Sequence, residues 1–132
     1  MSFEFNRNIQ DKNYTSTVAI AQAGANTAAF DLEQVVGGDI ERVVFSLAAP
    51  TAVGIADTKV VTYALQDSAD GSSWAAVDPA ISTTQTATAS GIVAKEVRFR
   101  VPANTRRYVR IAQTMTASAG TVTGSMVAKL LF

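Results

Sequence analysis

"KEVRFRVPANTRRYVRIAQTM", residues 95–115, alternates apolar and polar side chains on both sides of a single proline. In its first half Val97, Phe99 and Val101 face one way, and Glu96, Arg98 and Arg100 the other. In its second half Val109, Ile111 and Met115 fall on one side, with Tyr108 and Arg110 opposite. A period of two is the pattern of a strand with one face buried. Pro102 lacks an N–H and ends the first strand, and Asn104 suits the turn that follows. The stretch therefore reads as two strands joined by a turn. If the two pair as neighbours, Arg98, Arg100 and Arg110 share a face.

The same alternation recurs on either side. "IERVVFSLAA" (40–49) lines up Val43, Phe45 and Leu47, and "KVVTYALQ" (59–66) lines up Val61, Tyr63 and Leu65. "VTGSMVAKLLF" (122–132) puts Met126, Leu130 and Phe132 in step. "STVAIAQA" (16–23), "TAAFDL" (27–32) and "TTQTATA" (83–89) are weaker strands, the last at an edge, and "FDLEQVV" (30–36) has room for one helical turn. Between the runs lie "VVGGD", "APTAVG", "SADGSS", "VDPA" and "SAG", all turn signals. Strand-length runs broken by turns every 10 to 15 residues describe an all-β protein. The expected fold is an antiparallel β-sandwich, a jelly roll of about eight strands, with a seven-stranded immunoglobulin-like sandwich as the alternative. Strand order is not written in the periodicity.

The chain has 132 residues, the size of one domain. Residues 15–132 are read as that domain, and residues 1–14, "MSFEFNRNIQDKNY", as a partly ordered arm. Eleven basic and eleven acidic residues cancel, so no bulk charge draws the chain to nucleic acid or anionic lipid. The start is polar and carries both charge signs, unlike a signal peptide. No apolar run approaches the ~20 residues that span a bilayer. The chain is expected to be made in a cytoplasm and to meet neither nucleic acid nor membrane.

Cysteine and histidine are both absent, which removes thiolate and imidazole metal ligands and the commonest general base. Serines are abundant, but there is no histidine to activate them. "VVGGD" lacks the Gly-Lys-Ser/Thr of a phosphate loop. The expectation is a protein that is not an enzyme and that takes no metal and no cofactor.

Two features remain as contact candidates. "YALQDSADGSSWAAV" (63–77) holds Trp74, the only tryptophan. Gly71 supplies the positive φ of a tight turn, and Asp70 caps it. Trp74 then reads as a hairpin aromatic that plugs one end of the sandwich, as a sugar-stacking ligand aromatic, or as a protein contact. Asp67, Asp70 and Asp78 lack the alternation of a calcium loop. The second feature is Arg98, Arg100, Arg106, Arg107 and Arg110, five arginines within 13 residues. They read as a solvated sheet face or as a protein–protein contact, where the guanidinium fork meets carboxylates. The aromatics do not interleave with the arginines as a nucleic-acid stacking platform would.

The last third, "EVRFRVPANTRRYVRIAQTMTASAGTVTGSMVAKLLF", resembles the capsid cement (decoration) proteins of tailed bacteriophages. Pro102, Arg107, Tyr108, Arg110 and the closing strand Gly124–Ala128 carry the likeness, together with the upstream "LQDSADGSSW". It covers residues 59–132 well and the first 58 loosely, and "DGSSW" also recurs in discoidin-like sugar-binding sandwiches. The resemblance implies a jelly-roll virion protein on the outside of the capsid, bound to the major capsid protein and to itself as a homodimer or homotrimer. A tyrosine at position 108 is expected to bury its ring at a sandwich corner. Two other classes stay open: a carbohydrate-binding module using Trp74, and a tail or head-completion protein.

Overall fold

The alternating runs become strands in the computed structural model, which describes residues 10–32, 44–102 and 104–131. In chain order these are β1 (Gln10–Ala19), β2 (Ala25–Asn26), β3 (Phe30–Asp31), β4 (Val44–Ala49), β5 (Val53–Ile55) and β6 (Val60–Ser68). Then follow β7 (Ala75–Ala76), β8 (Ser82–Thr86), β9 (Lys95–Arg100), β10 (Tyr108–Met115), β11 (Ser118–Thr123) and β12 (Ser125–Leu131). All pairings are antiparallel. A four-stranded sheet runs β1-β12-β4-β9; a six-stranded sheet runs β2-β10-β6-β7, with β3 also on β10 and β8 also on β6. β5 and β11 form a small separate ribbon.

Strand order identifies the architecture. β2 and β3 share one side of β10, and β7 and β8 share one side of β6, so each pair fills a single position. Setting the ribbon aside leaves eight positions among the described residues, in the orders 1-8-3-6 and 2-7-4-5. That is a jelly roll of two Greek keys. The immunoglobulin-like alternative requires the first two strands to pair, whereas here the first strand pairs with the last.

The faces follow the period-two pattern. β6 alternates without a break until Asp67, and its inward Val61, Tyr63 and Leu65 are 1% exposed or less. From the opposite sheet come Phe45, Leu47, Met126, Ala128 and Leu130, all at 0%. Phe30 meets Phe45 edge-on across the sandwich at 5.4 Å, and Phe45 stacks on Phe99 at 5.6 Å. Each such ring or branched chain contributes about 1.5–3 kcal/mol by leaving water.

Among the buried polar side chains, Tyr63, Gln85 and Gln113 are partnered inside the core. The Tyr63 hydroxyl donates to Gln85 Oε1 at 2.7 Å, and Gln85 Nε2 donates to the carbonyls of Pro50 and Val93 at 3.1 and 3.0 Å. Gln113 Oε1 accepts the Ala21 N–H at 3.0 Å, and its Nε2 donates to the Ala21 carbonyl at 3.2 Å. These amides pin loops onto the core, a use that periodicity alone does not foretell.

Several expectations are corrected here. Residues 10–14 begin β1 rather than belonging to an arm, and residues 1–9 lie outside the described residues. Val43 and Phe132 also lie outside them, as do positions 33–36 of the expected helical turn, whose start is strand β3. The strands at 95–101 and 106–115 do not pair. β9 lies on β4 in one sheet, and β10 lies on β6 in the other. The segment between them is a corner, closed by the Thr105 N–H on the Pro102 carbonyl at 3.1 Å, that carries the chain across the core.

Candidate functional site

Outward positions on β6, β7 and β10 build one surface from the residues upward. The hairpin after β6 is organised by two short side chains. Ser68 Oγ accepts the Gly71 N–H at 2.9 Å and donates to Asp70 Oδ1 at 2.9 Å. Asp70 Oδ1 accepts the N–H groups of Ser72 and Ser73 at 2.8 and 3.0 Å. Those donors, Ser73 foremost, stabilise the ionised carboxyl and pull it down to about 2. Gly71 has φ +79°, as the turn demands. Asp70 thus caps its turn as the sequence implies.

The loop delivers Trp74 to the outer face of the six-stranded sheet. Ala76 pairs with Gln66, and Gln66 pairs with Arg110. Period two puts Trp74 on the same face as Ala76. The Arg110 guanidinium carbon lies 4.3 Å from the Trp74 ring centroid, a cation–π contact, and Arg110 Nε donates to Gln66 Oε1 at 2.9 Å. Trp74 is half-buried there, so it covers a sheet face instead of plugging the end of the sandwich.

The other arginines divide between surfaces. Arg106 grips the buried Asp67 from the corner: its N–H reaches Oδ2 at 3.0 Å, and Nε and Nη2 reach Oδ1 at 3.2 and 2.9 Å. Burial pushes the Asp67 carboxyl up, but the bonds and charge of Arg106 outweigh burial and hold it below the ordinary range. Arg107 makes a fork with Asp31, at 3.1 and 2.9 Å, and lies 5.0 Å from the centroid of the Tyr108 ring. Tyr108 is half-buried beside Gly71 and is not the buried corner tyrosine expected. The reason is parity: Tyr108 pairs with Ser68, whose face is the outer one.

Arg98 and Arg100 stand on the outer face of the four-stranded sheet, across the core from Arg110. Arg98 lies 3.6 Å from Glu96 and shares a row with Ser46 and Lys129. The five arginines are therefore not one cluster, because the corner after Pro102 separates them. Two partners were not anticipated. Gln66 was legible as an outward position in the alternation of 59–66, and Asp31 was not, since β3 is only two residues long.

The molecule belongs to the class of jelly-roll β-sandwiches, with Trp74 and Arg110 on the outside of one sheet and Arg98 and Arg100 on the outside of the other. No protein-family model matches the chain. No curated protein matches it. Among solved structures it is similar to dimeric latent PorU from Porphyromonas gingivalis, with TM-score 0.47 and 11% identity over 94% of this chain, which spans 13% of that one. It is also similar to a family 16 carbohydrate-binding module (TM-score 0.37, 9% identity, 88% of this chain and 72% of that one). A CBM4 structure gives TM-score 0.37 and 12% identity, over 86% of this chain and 71% of that one. At such values no activity or ligand of these proteins transfers to this chain.

Proposed function

We propose that this chain is a non-enzymatic structural protein of a tailed-phage virion. It binds the outside of the capsid, bridges major capsid subunits and associates with itself as a homodimer or homotrimer. The observation that carries this reading is the placement of guanidinium groups on opposite outer faces, Arg98 and Arg100 on one sheet and Arg110 on the other. A bridge needs two separated contact surfaces on a rigid body, and a closed jelly roll supplies that body. The resemblance over residues 59–132 points the same way. Weak contacts repeated around a closed shell add through avidity.

The test is to mix the pure protein with undecorated shells and sediment them. Saturable co-sedimentation at a fixed ratio to the capsid subunit, with shells that withstand more heat or denaturant, is the expected result. Protein left in the supernatant at tens of micromolar, about the range of weak specific contacts, would overturn the reading. Electron microscopy of virions separates this role from that of a tail or head-completion ring. A glycan array separates it from a sugar-binding module, whose stacking aromatic would be Trp74.

A further inference from the structure

Of the five arginines between residues 98 and 110, three have a carboxylate within the chain: Glu96 for Arg98 at 3.6 Å, Asp67 for Arg106 at 2.9 Å and Asp31 for Arg107 at 2.9 Å. Arg110 differs. Among the described residues its partners are both neutral, the Trp74 ring and the Gln66 amide. Arg100 makes no ion pair among the described residues either, but it is exposed, and water solvates it. Arg110 is partly buried, and that burial lowers its pKa, the mark of a cation short of solvation.

Its geometry is also fixed. The guanidinium carbon lies 4.3 Å from the Trp74 ring centroid and Gln66 occupies Nε, which leaves the edge formed by the two Nη groups without a hydrogen-bond partner among the described residues. That edge matches the two oxygens of a planar carboxylate. Beside it, the row Asn26–Ala112–Ala64–Ser82 crosses the sheet with short side chains, so a partner backbone can come close. A nucleic-acid backbone needs several unpaired cations in a line. Here the neighbouring Arg107 is already spent on Asp31.

We infer that Trp74, Arg110 and Gln66 form a preorganised carboxylate-binding site, which takes an aspartate or glutamate side chain from an acidic segment of the shell protein laid across the outer face of the six-stranded sheet. The identity of that partner rests on the capsid reading; the carboxylate chemistry does not. Trp74, the only tryptophan, reports on the site directly.

The experiment has two arms. In the first, the full chain is titrated with a blocked Ala-Glu repeat peptide and with its Ala-Gln counterpart, following Trp74 emission. Saturable change with the glutamate peptide alone is expected. Arg110→Gln should weaken binding roughly tenfold or more, the usual worth of a charge-assisted pair. Arg110→Lys, which keeps the charge without the fork, should lose most of the affinity, while Arg100→Gln stays within about twofold. Equal affinity for both peptides, or unchanged affinity in both Arg110 variants with native circular dichroism, overturns the site. In the second arm, Arg110→Gln and wild type are sedimented with shells. Wild type that fails to pellet sinks the capsid reading and leaves the peptide arm to decide the site. An Arg110→Gln protein that pellets like wild type sinks the assignment of the shell protein as the partner.

Discussion

Asp70 illustrates how much one exposed side chain organises. Its carboxylate gathers two backbone N–H groups and the Ser68 hydroxyl, and so sets the loop that delivers Trp74 to its place over Arg110. Because folding pulls this carboxyl from 3.8 down to about 2, it adds stability above its ordinary titration range. That contribution is lost as the pH falls through the interval from just below 4 to about 2. Asp67, held low by Arg106, acts in the same direction. Asp70→Asn keeps an oxygen for the cap but removes the titration. Urea midpoints for the variant should lie below those of wild type near pH 7, where the ionised carboxyl contributes, and approach them as the pH falls to about 2. Between pH 4 and 2 they should fall less steeply, and an unchanged acid slope would show that Asp70 plays no part in it.

Among the elements, the ribbon of β5 and β11 depends most on a single backbone position. Gly54 has φ +84°, and a Cβ placed there would collide with the Thr121 carbonyl. Neither atom is the end of a flexible side chain, so the strands must part to make room. Gly54→Ala should destabilise the protein by about 1–3 kcal/mol, from strain plus lost ribbon pairing. Hydrogen exchange should show the loss of protection concentrated in residues 53–55 and 118–123, with the β6 and β10 amides still slow. Uniform loss, or none, would contradict the assignment. The ribbon was not foreseen from sequence, because "TASAG" and "APTAVG" carry turn chemistry and too little alternation to announce strands. β4, β6, β9 and β10 were foreseen, because each alternates over at least six residues.

For the whole molecule, the first strand closes the four-stranded sheet against the last, with Thr15–Ala19 paired continuously to Lys129–Ser125. A deletion must spare that pairing if it is to test the N-terminal segment alone. Removing residues 2–9 should leave the urea midpoint within about 1 kcal/mol of wild type, since β1 remains whole. Shell occupancy at a fixed protein concentration should fall if the segment contributes to capsid binding, and full occupancy would exclude that contribution.

Side-chain parity was the sequence's own doing. Val61, Tyr63, Leu65, Val109 and Ile111 go inward and Gln66 and Arg110 outward, because successive residues of a strand point to opposite faces. Which strands lie side by side was decided only in three dimensions. A period of two states which face of a strand is buried and says nothing about its neighbours. β9 and β10, adjacent in sequence, therefore come to rest in different sheets, while β1 and β12, at opposite ends of the chain, are paired. For the same reason five arginines that are neighbours in the chain stand on opposite sides of the core, and only the folded molecule brings Trp74 over Arg110.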